Sequence, residues 1–214
     1  MVSRRIAAAL AAFALCVGAP AAHAQVYLLN DNFNTENGGV GQLNYTGFAN
    51  WNVSGAVDLI GNGFFDFYPG NGLYVDMNGS PGPGTMTSKT TYNFLPGNVY
   101  TLSFDLAGSA RGLTDTVDVS LGSLYSNAFT YPSGQGYTMT TDTFTVSSPT
   151  SANLVFNSLV GPNADIGLIL DNVTLSYLPP SANVPEPGPL ALLVASGVTG
   201  SLWMGKRWRK PARA

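Results

Sequence analysis

The chain of 214 residues has one cysteine, one histidine and few charges. Cys16 and His23 both fall in the first 24 residues. That segment begins with Arg4 and Arg5, continues as an apolar run from Ile6 to Val17, and ends in Ala22-His23-Ala24. This order of basic, apolar and small-residue regions marks an export signal, with cleavage expected between Ala24 and Gln25. The mature chain, 25–214, then holds no thiol and no imidazole. A disulfide, a zinc–thiolate site, a histidine metal site and a Ser-His-Asp or Cys-His catalytic arrangement are all excluded. Alanines follow the Ser3-Arg4-Arg5 triplet where a twin-arginine signal has large apolar residues, so export of the unfolded chain is expected. Leu15 precedes Cys16, which argues against a lipid-modified N-terminus.

Charge is scarce as well. Charged residues make up 10% of the chain, against about a quarter in ordinary globular domains. Between Gln25 and Val184 the acids number eleven and the bases two, Lys89 and Arg111, a formal charge of −9. Nucleic acid is excluded as a partner, because it requires clustered Lys and Arg. Anionic substrates and phosphoryl transfer are disfavoured on the same ground. No helix-period segment occurs between Gln25 and Tyr177.

What is present is alternation. Leu102, Phe104 and Leu106 share one face of "VYTLSFDLAG", and Val117, Val119 and Leu121 share one face of "TVDVSLG". "YTMTTDTFTVS", "SANLVFNSL", "VYLLNDNF", "AVDLIG", "GLYVDMNG", "GTMTSKTTYNF" and "GLILDNVTLSY" have similar β-rich composition. Clusters such as "GNGFFDFYPGNG", "GSPGPG" and "YPSGQG" separate them. Nine to eleven short strands at this spacing predict an all-β ectodomain over 25–177, a two-sheet antiparallel β-sandwich. Residues 178–184 read as a proline-stiffened linker.

The domain opens with "LLNDNFNTENGG", reaches a tryptophan in "FANWNVS" and closes with "LILDNVTLSY". This layout resembles the jelly-roll domains of galactose-binding and carbohydrate-binding-module type, over roughly Tyr27 to Tyr177. The resemblance implies a jelly-roll sandwich.

Residues 185–214 join Pro185-Glu186-Pro187, an uncharged stretch Pro189–Met204 and a basic tail over 206–214 that includes Lys206, Arg207, Arg209 and Lys210. Sixteen residues give about 24 Å of helix, the short limit for spanning a bilayer. The basic cluster marks the cytoplasmic side and stops transfer, in agreement with an N-terminal signal that puts the body outside. The three parts in this order resemble the PEP-CTERM sorting signal of exported bacterial proteins. The resemblance implies recognition of Pro185, Glu186 and Pro187 by an exosortase, cleavage near the triplet, and delivery of the body to the cell surface or extracellular matrix. Signal peptidase and exosortase are then the processing partners, with one N-terminal signal helix and one C-terminal transmembrane helix.

Within the body, the carboxylate pairs Asp58/Asp66 and Asp115/Asp118 have the composition of a glycosidase dyad. They read more simply as solvated turns and strand faces, so no catalytic residue is assigned. "DLIGNG" places Ile60 where a calcium loop needs oxygen, and "GSPGPG" has no lysine or helix after it, so neither is a ligand loop. Strict alternation puts Asp171 on the core face with Val173, Leu175 and Tyr177, where a carboxylate needs a partner. The resembled domains imply a structural calcium there, which would set Asp171 with Asp31 or Glu36. A β-bulge turning Asp171 outward, or backbone N–H donors, would serve equally. Trp51, Tyr68, Tyr74, Tyr131 and Tyr137 lie in or beside loops, where aromatic faces stack on sugars or fill the core, core packing being the expectation for Trp51. The expected function is therefore a non-enzymatic surface protein with a structural or adhesive body, alternatively a carbohydrate-binding module that contacts extracellular polysaccharide.

Overall fold

A computed structural model describes residues 24–80, 82–159 and 165–180. The expected signal up to His23, the linker from Ser181 and the whole sorting region 185–214 lie outside the described residues. Among the described residues no helix is long and apolar enough to cross a membrane.

Fourteen strands occur among these residues. They are β1 (Val26–Asp31), β2 (Trp51–Gly55), β3 (Asp58–Gly61), β4 (Leu73–Asp76), β5 (Asn78–Gly79), β6 (Gly82–Ser88) and β7 (Tyr92–Phe94). The series continues with β8 (Val99–Ala107), β9 (Asp115–Leu121), β10 (Tyr125–Tyr131), β11 (Thr138–Phe144), β12 (Thr150–Ala152), β13 (Leu154–Ser158) and β14 (Ile169–Leu178). A single 3-10 turn covers Glu36–Gly39.

The first sheet runs β11-β8-β14-β4-β3, with β1 paired to the far half of β14. The second runs β10-β9-β13-β6-β2, with β5 on β6, and β12 pairs with β7 separately. All pairings are antiparallel. The fold is thus the expected two-sheet antiparallel sandwich. Its core is formed by the alternating residues singled out above. Leu102, Phe104 and Leu106 of one sheet meet Val117, Val119 and Leu121 of the other, and the rings of Phe104, Phe129, Phe156 and Trp51 bridge them edge to face.

The first sheet has a second, smaller apolar cluster on its outer side: Ile60, Tyr74, Ala107 and Ile169, covered by Phe67, Tyr68 and Tyr137. Residues between β3 and β4 provide Phe67 and Tyr68, and Tyr137 comes from the segment before β11. Asn62 and Gly63, both at positive φ, turn the chain between Gly61 and Phe64, which exchange two backbone hydrogen bonds (2.8 and 3.0 Å). This is the geometry of a two-residue hairpin loop, which selects Asn-Gly. The returning chain is then fastened to the sheet. The Tyr68 hydroxyl lies 2.5 Å from the Gly108 carbonyl and 3.0 Å from that of Gln135, and the Tyr74 hydroxyl donates to Asp66 Oδ1 at 2.9 Å.

Asp171 does not lie where strict alternation places it. A register shift between Asp171 and Thr174, with Asn172 at φ 50°, inserts one residue into β14. The insertion restores Val173 and Leu175 to the core and leaves Asp171 on the outer face, opposite Asp105 of β8. The bulge is therefore present, yet Asp171 stays buried, at 2% exposure, beneath the covering segments. It accepts the Asn172 N–H at 2.7 Å.

Candidate functional site

Two strand-opposed aspartates begin the site. Asp58 of β3 and Asp76 of β4 are register partners on the outer face. Residues at such positions point outward by alternation, and in an uncovered sheet they would meet water. Here the covering segments bury them to 6% and 1% exposure. Asp76 Oδ1 accepts the Asn78 N–H at 3.0 Å, and Oδ2 is ion-paired with the Arg111 guanidinium. Asp58 Oδ1 accepts the Asn44 N–H at 2.7 Å.

Burial raises the pKa of both groups. For Asp76 it does so strongly, opposed by Arg111 and the Asn78 N–H, and for Asp58 it is opposed by the Asn44 N–H and Arg111. Arg111 stacks over the Phe67 ring, 5.0 Å from its centroid, and its Nε has no hydrogen-bond partner among the described residues.

These groups form one side of a pocket of about 110 Å³. Asp58, Asp76, Asp165, Arg111 and Ser80 supply its polar lining, and Leu43, Ile60, Phe65 and Phe67 its apolar one. A cavity of about 150 Å³ admits one benzene-sized ring, so this smaller pocket is sized for a substituent or one edge of a ring. Phe65 stands at its edge, 54% exposed, with its backbone at φ 45°. An aromatic residue at positive φ is costly and uncommon. The ring is steadied edge-to-face by Phe64 at 4.9 Å. The arrangement offers a flat apolar face beside directional polar groups.

The aromatic residues expected from the sequence to stack on sugars lie elsewhere or face inward. Trp51 is fully buried and donates from Nε1 to Asp31 Oδ2 at 2.8 Å, as a core residue. Tyr74 is fully buried as well, so it presents no face to a ligand. Tyr68 and Tyr137 are half-buried and packed together at 5.0 Å, as part of the covering cluster. Tyr131 packs from β10 against the main core.

The three carboxylates considered for calcium have separate roles. Asp31 Oδ1 accepts the Phe33 N–H, and its Oδ2 accepts Asn50 Nδ2 and Trp51 Nε1. Both Glu36 oxygens accept the Ala49 N–H, at 2.9 and 3.1 Å. Asp171 faces the opposite side of the sheet from the core. Among the described residues no three acidic side chains are grouped so as to hold a metal ion. The proposed acid pairs separate too. Asp66 is tied to Tyr74 and the Gly63 N–H, while Asp115 is buried against Asn78, and Asp118 is on the other face of β9. Asp58 and Asp115 are therefore buried rather than solvated.

The sequence reading passed over Phe65, Phe67, Asp76 and Arg111. Arg111 carried one available signal: it is one of only two bases in an acidic body, so a buried acid partner was to be expected.

No family model matches the sequence, and no curated protein matches it. Several solved structures are similar in fold. The xylan-binding domain of carbohydrate-binding module family 22 is 15% identical, with 73% of this chain and 97% of that domain covered and a TM-score of 0.43. The K3 cleaved adhesin domain of Lys-gingipain from Porphyromonas gingivalis is 14% identical, with 70% and 99% covered and a TM-score of 0.45. Clostridium thermocellum endo-1,4-β-D-xylanase 10B, as its CBM22-1–GH10 modules with xylohexaose, is 17% identical, with 74% and 29% covered and a TM-score of 0.41. This chain therefore spans less than a third of that xylanase chain.

Proposed function

We propose that this chain is an exported bacterial surface protein, sorted through its PEP-CTERM-like tail, whose sandwich body binds extracellular polysaccharide without cleaving it. The observation that carries the reading is Phe65: an exposed ring, held at positive φ, beside a pocket walled by Asp58, Asp76 and Arg111. Sugar rings bind through one apolar face laid on an aromatic ring and hydroxyls bonded to carboxylates and guanidinium groups. Asp76 is already engaged by Arg111 and by the Asn78 N–H. In this reading its role is to fix the Arg111 guanidinium in the pocket wall.

Isothermal titration of the full chain against a panel of soluble oligosaccharides tests this. Saturable binding is expected, weakened about tenfold or more by Phe65→Ala, the size of one lost stacking contact. The Phe65 ring is more than half exposed, so the variant should melt close to the parent chain. Absence of saturable binding, or binding indifferent to Phe65, would refute the reading.

Export and sorting rest on the sequence of the two ends. Mass spectrometry of the mature protein is expected to find an N-terminus at Gln25 and a C-terminus near Pro185–Pro187. A mature chain ending at Ala214 contradicts exosortase processing.

A further inference from the structure

We propose that the pocket selects a primary ammonium group, so that its preferred ligand is an amino sugar bearing a free amine over the N-acetylated sugar. This rests on the reading of the body as a saccharide binder and specifies what that site takes.

The first observation is charge. Asp58, Asp76 and Asp165 line the pocket with a single base, Arg111. The other base of the body, Lys89, is bonded 2.5 Å from the Phe48 carbonyl and does not line it. One guanidinium balances one carboxylate, and the pocket keeps an acidic excess.

The second is an incomplete hydrogen-bond set. Asp58 is 94% buried, and its Oδ1 is taken by the Asn44 N–H. Its Oδ2 has no hydrogen-bond partner among the described residues, and the side chain lines the pocket. That oxygen is open to the pocket, where it can accept from a ligand's N–H or O–H donor.

The third is that the protein already places a nitrogen cation here. The Arg111 guanidinium lies between Asp76 and the face of Phe67. Carboxylate on one side and aromatic face on the other is the environment that favours organic cations. A second aromatic ring, Phe65, and the free oxygen of Asp58 repeat those two elements on the same pocket.

A divalent metal fits less well. No three acids among the described residues are grouped for coordination, and the guanidinium would repel such an ion. An ammonium group has three donors that can serve acceptors spread more widely. N-acetylation removes both the charge and two of those donors.

The experiment titrates the full chain at neutral pH and low salt with three probes. They are a glucosamine tetramer, the N-acetylglucosamine tetramer and spermidine, the last an amine without a sugar ring. The glucosamine tetramer is expected to bind about tenfold or more tighter than its acetylated counterpart, the scale of one close charge pair in a partly dry site. Asp58→Asn keeps an acceptor for the Asn44 N–H and should reduce that preference to near unity. Asp165→Asn, at an exposed position, should narrow it, and keeps the test valid if the Asp58 variant does not fold. Equal affinities for the two tetramers, still weakened by Phe65→Ala, overturn the amine selection and leave the saccharide reading standing. Spermidine binding as tightly as the glucosamine tetramer, indifferent to Phe65, overturns the amino-sugar assignment. No binding by any probe or by the wider saccharide panel overturns both.

Discussion

Replacing Asp31 with alanine is expected to destabilise the sandwich by about 2–5 kcal/mol, read as a lower midpoint in chemical denaturation. The Asp31 carboxyl accepts three donors: the Phe33 N–H at 3.0 Å, Asn50 Nδ2 at 3.0 Å and Trp51 Nε1 at 2.8 Å. The bonds from Phe33 and Trp51 are buried, and Trp51 packs against Phe156 at 5.7 Å in the centre of the core. Removing the acceptor strands two buried N–H groups, each of which costs about 1–3 kcal/mol. A native domain has only about 5–15 kcal/mol to lose. Asparagine should rescue little, because its amide supplies one acceptor oxygen where two are used. In a Trp51→Phe background the indole donor is absent, and Asp31→Ala should then cost about 1–2 kcal/mol less. Additive losses in that cycle would show that Asp31 does not act through Trp51.

Asp171→Asn is expected to do the opposite and raise stability at pH 8 by about 2–4 kcal/mol, or roughly 5–10 °C in midpoint. Burial pushes the Asp171 carboxyl up to about 7 from its ordinary 3.8, partly offset by the Asn172 N–H, with Asp105 and Asp31 adding to the rise. Between those two values the folded chain keeps a proton that the unfolded chain has released. Stability therefore falls as pH rises across this window, and is level with respect to this group below about 4 and above about 7. Asparagine retains an oxygen for the Asn172 N–H and carries no charge at any pH. The variant should lose one group's share of the slope between pH 4 and 7. A slope of the same sign should persist, since burial also raises the pKa of Glu36, Asp58, Asp115 and, strongly, Asp76. An unchanged pH profile in Asp171→Asn would show that this carboxyl is not the group that titrates.

These two aspartates also show how far the sequence could be read. Alternation through Leu102–Leu106 and Val117–Leu121 reflects a physical period, so the sandwich and the inner faces of β8 and β9 were legible. The same rule misplaced Asp171, because one inserted residue reverses every side chain beyond it. Nothing in "LDNVT" except an asparagine, which tolerates positive φ, marks that insertion. Asp31 and Glu36 were recognisable as acids near the first strand. That their oxygens cap Trp51 and Ala49 depends on contacts 13 to 20 residues away in sequence. The strands β2 and β10 escaped notice because Asn and Ser interrupt their apolar residues.

The pocket was the least legible part. Asp58 and Asp76 occupy outward positions, and the return of the chain between β3 and β4 across the sheet, with Asn44 and Arg111 from other loops, takes them out of water. That "GNGFFDFYPGNG" is turn-rich was plain, but a turn-rich segment can extend into solvent or fold back. Folding back is decided by the tyrosine hydroxyls of Tyr68 and Tyr74, which find partners in Gly108 and Asp66. The same fold-back fixes Phe65 at the pocket edge. Structure and proposed function thus depend on one segment.

A nuclear magnetic resonance titration of the full chain with glucose-, xylose- and glucosamine-based oligosaccharides tests the central claim most directly. The account predicts that at least one of them shifts the signals of Phe65, Phe67 and Arg111 Nε–H to saturation, with little change on the outer face of the β10-β9-β13-β6-β2 sheet. Saturable shifts confined to that other face, or no saturable shift with any of the sugars, would contradict it.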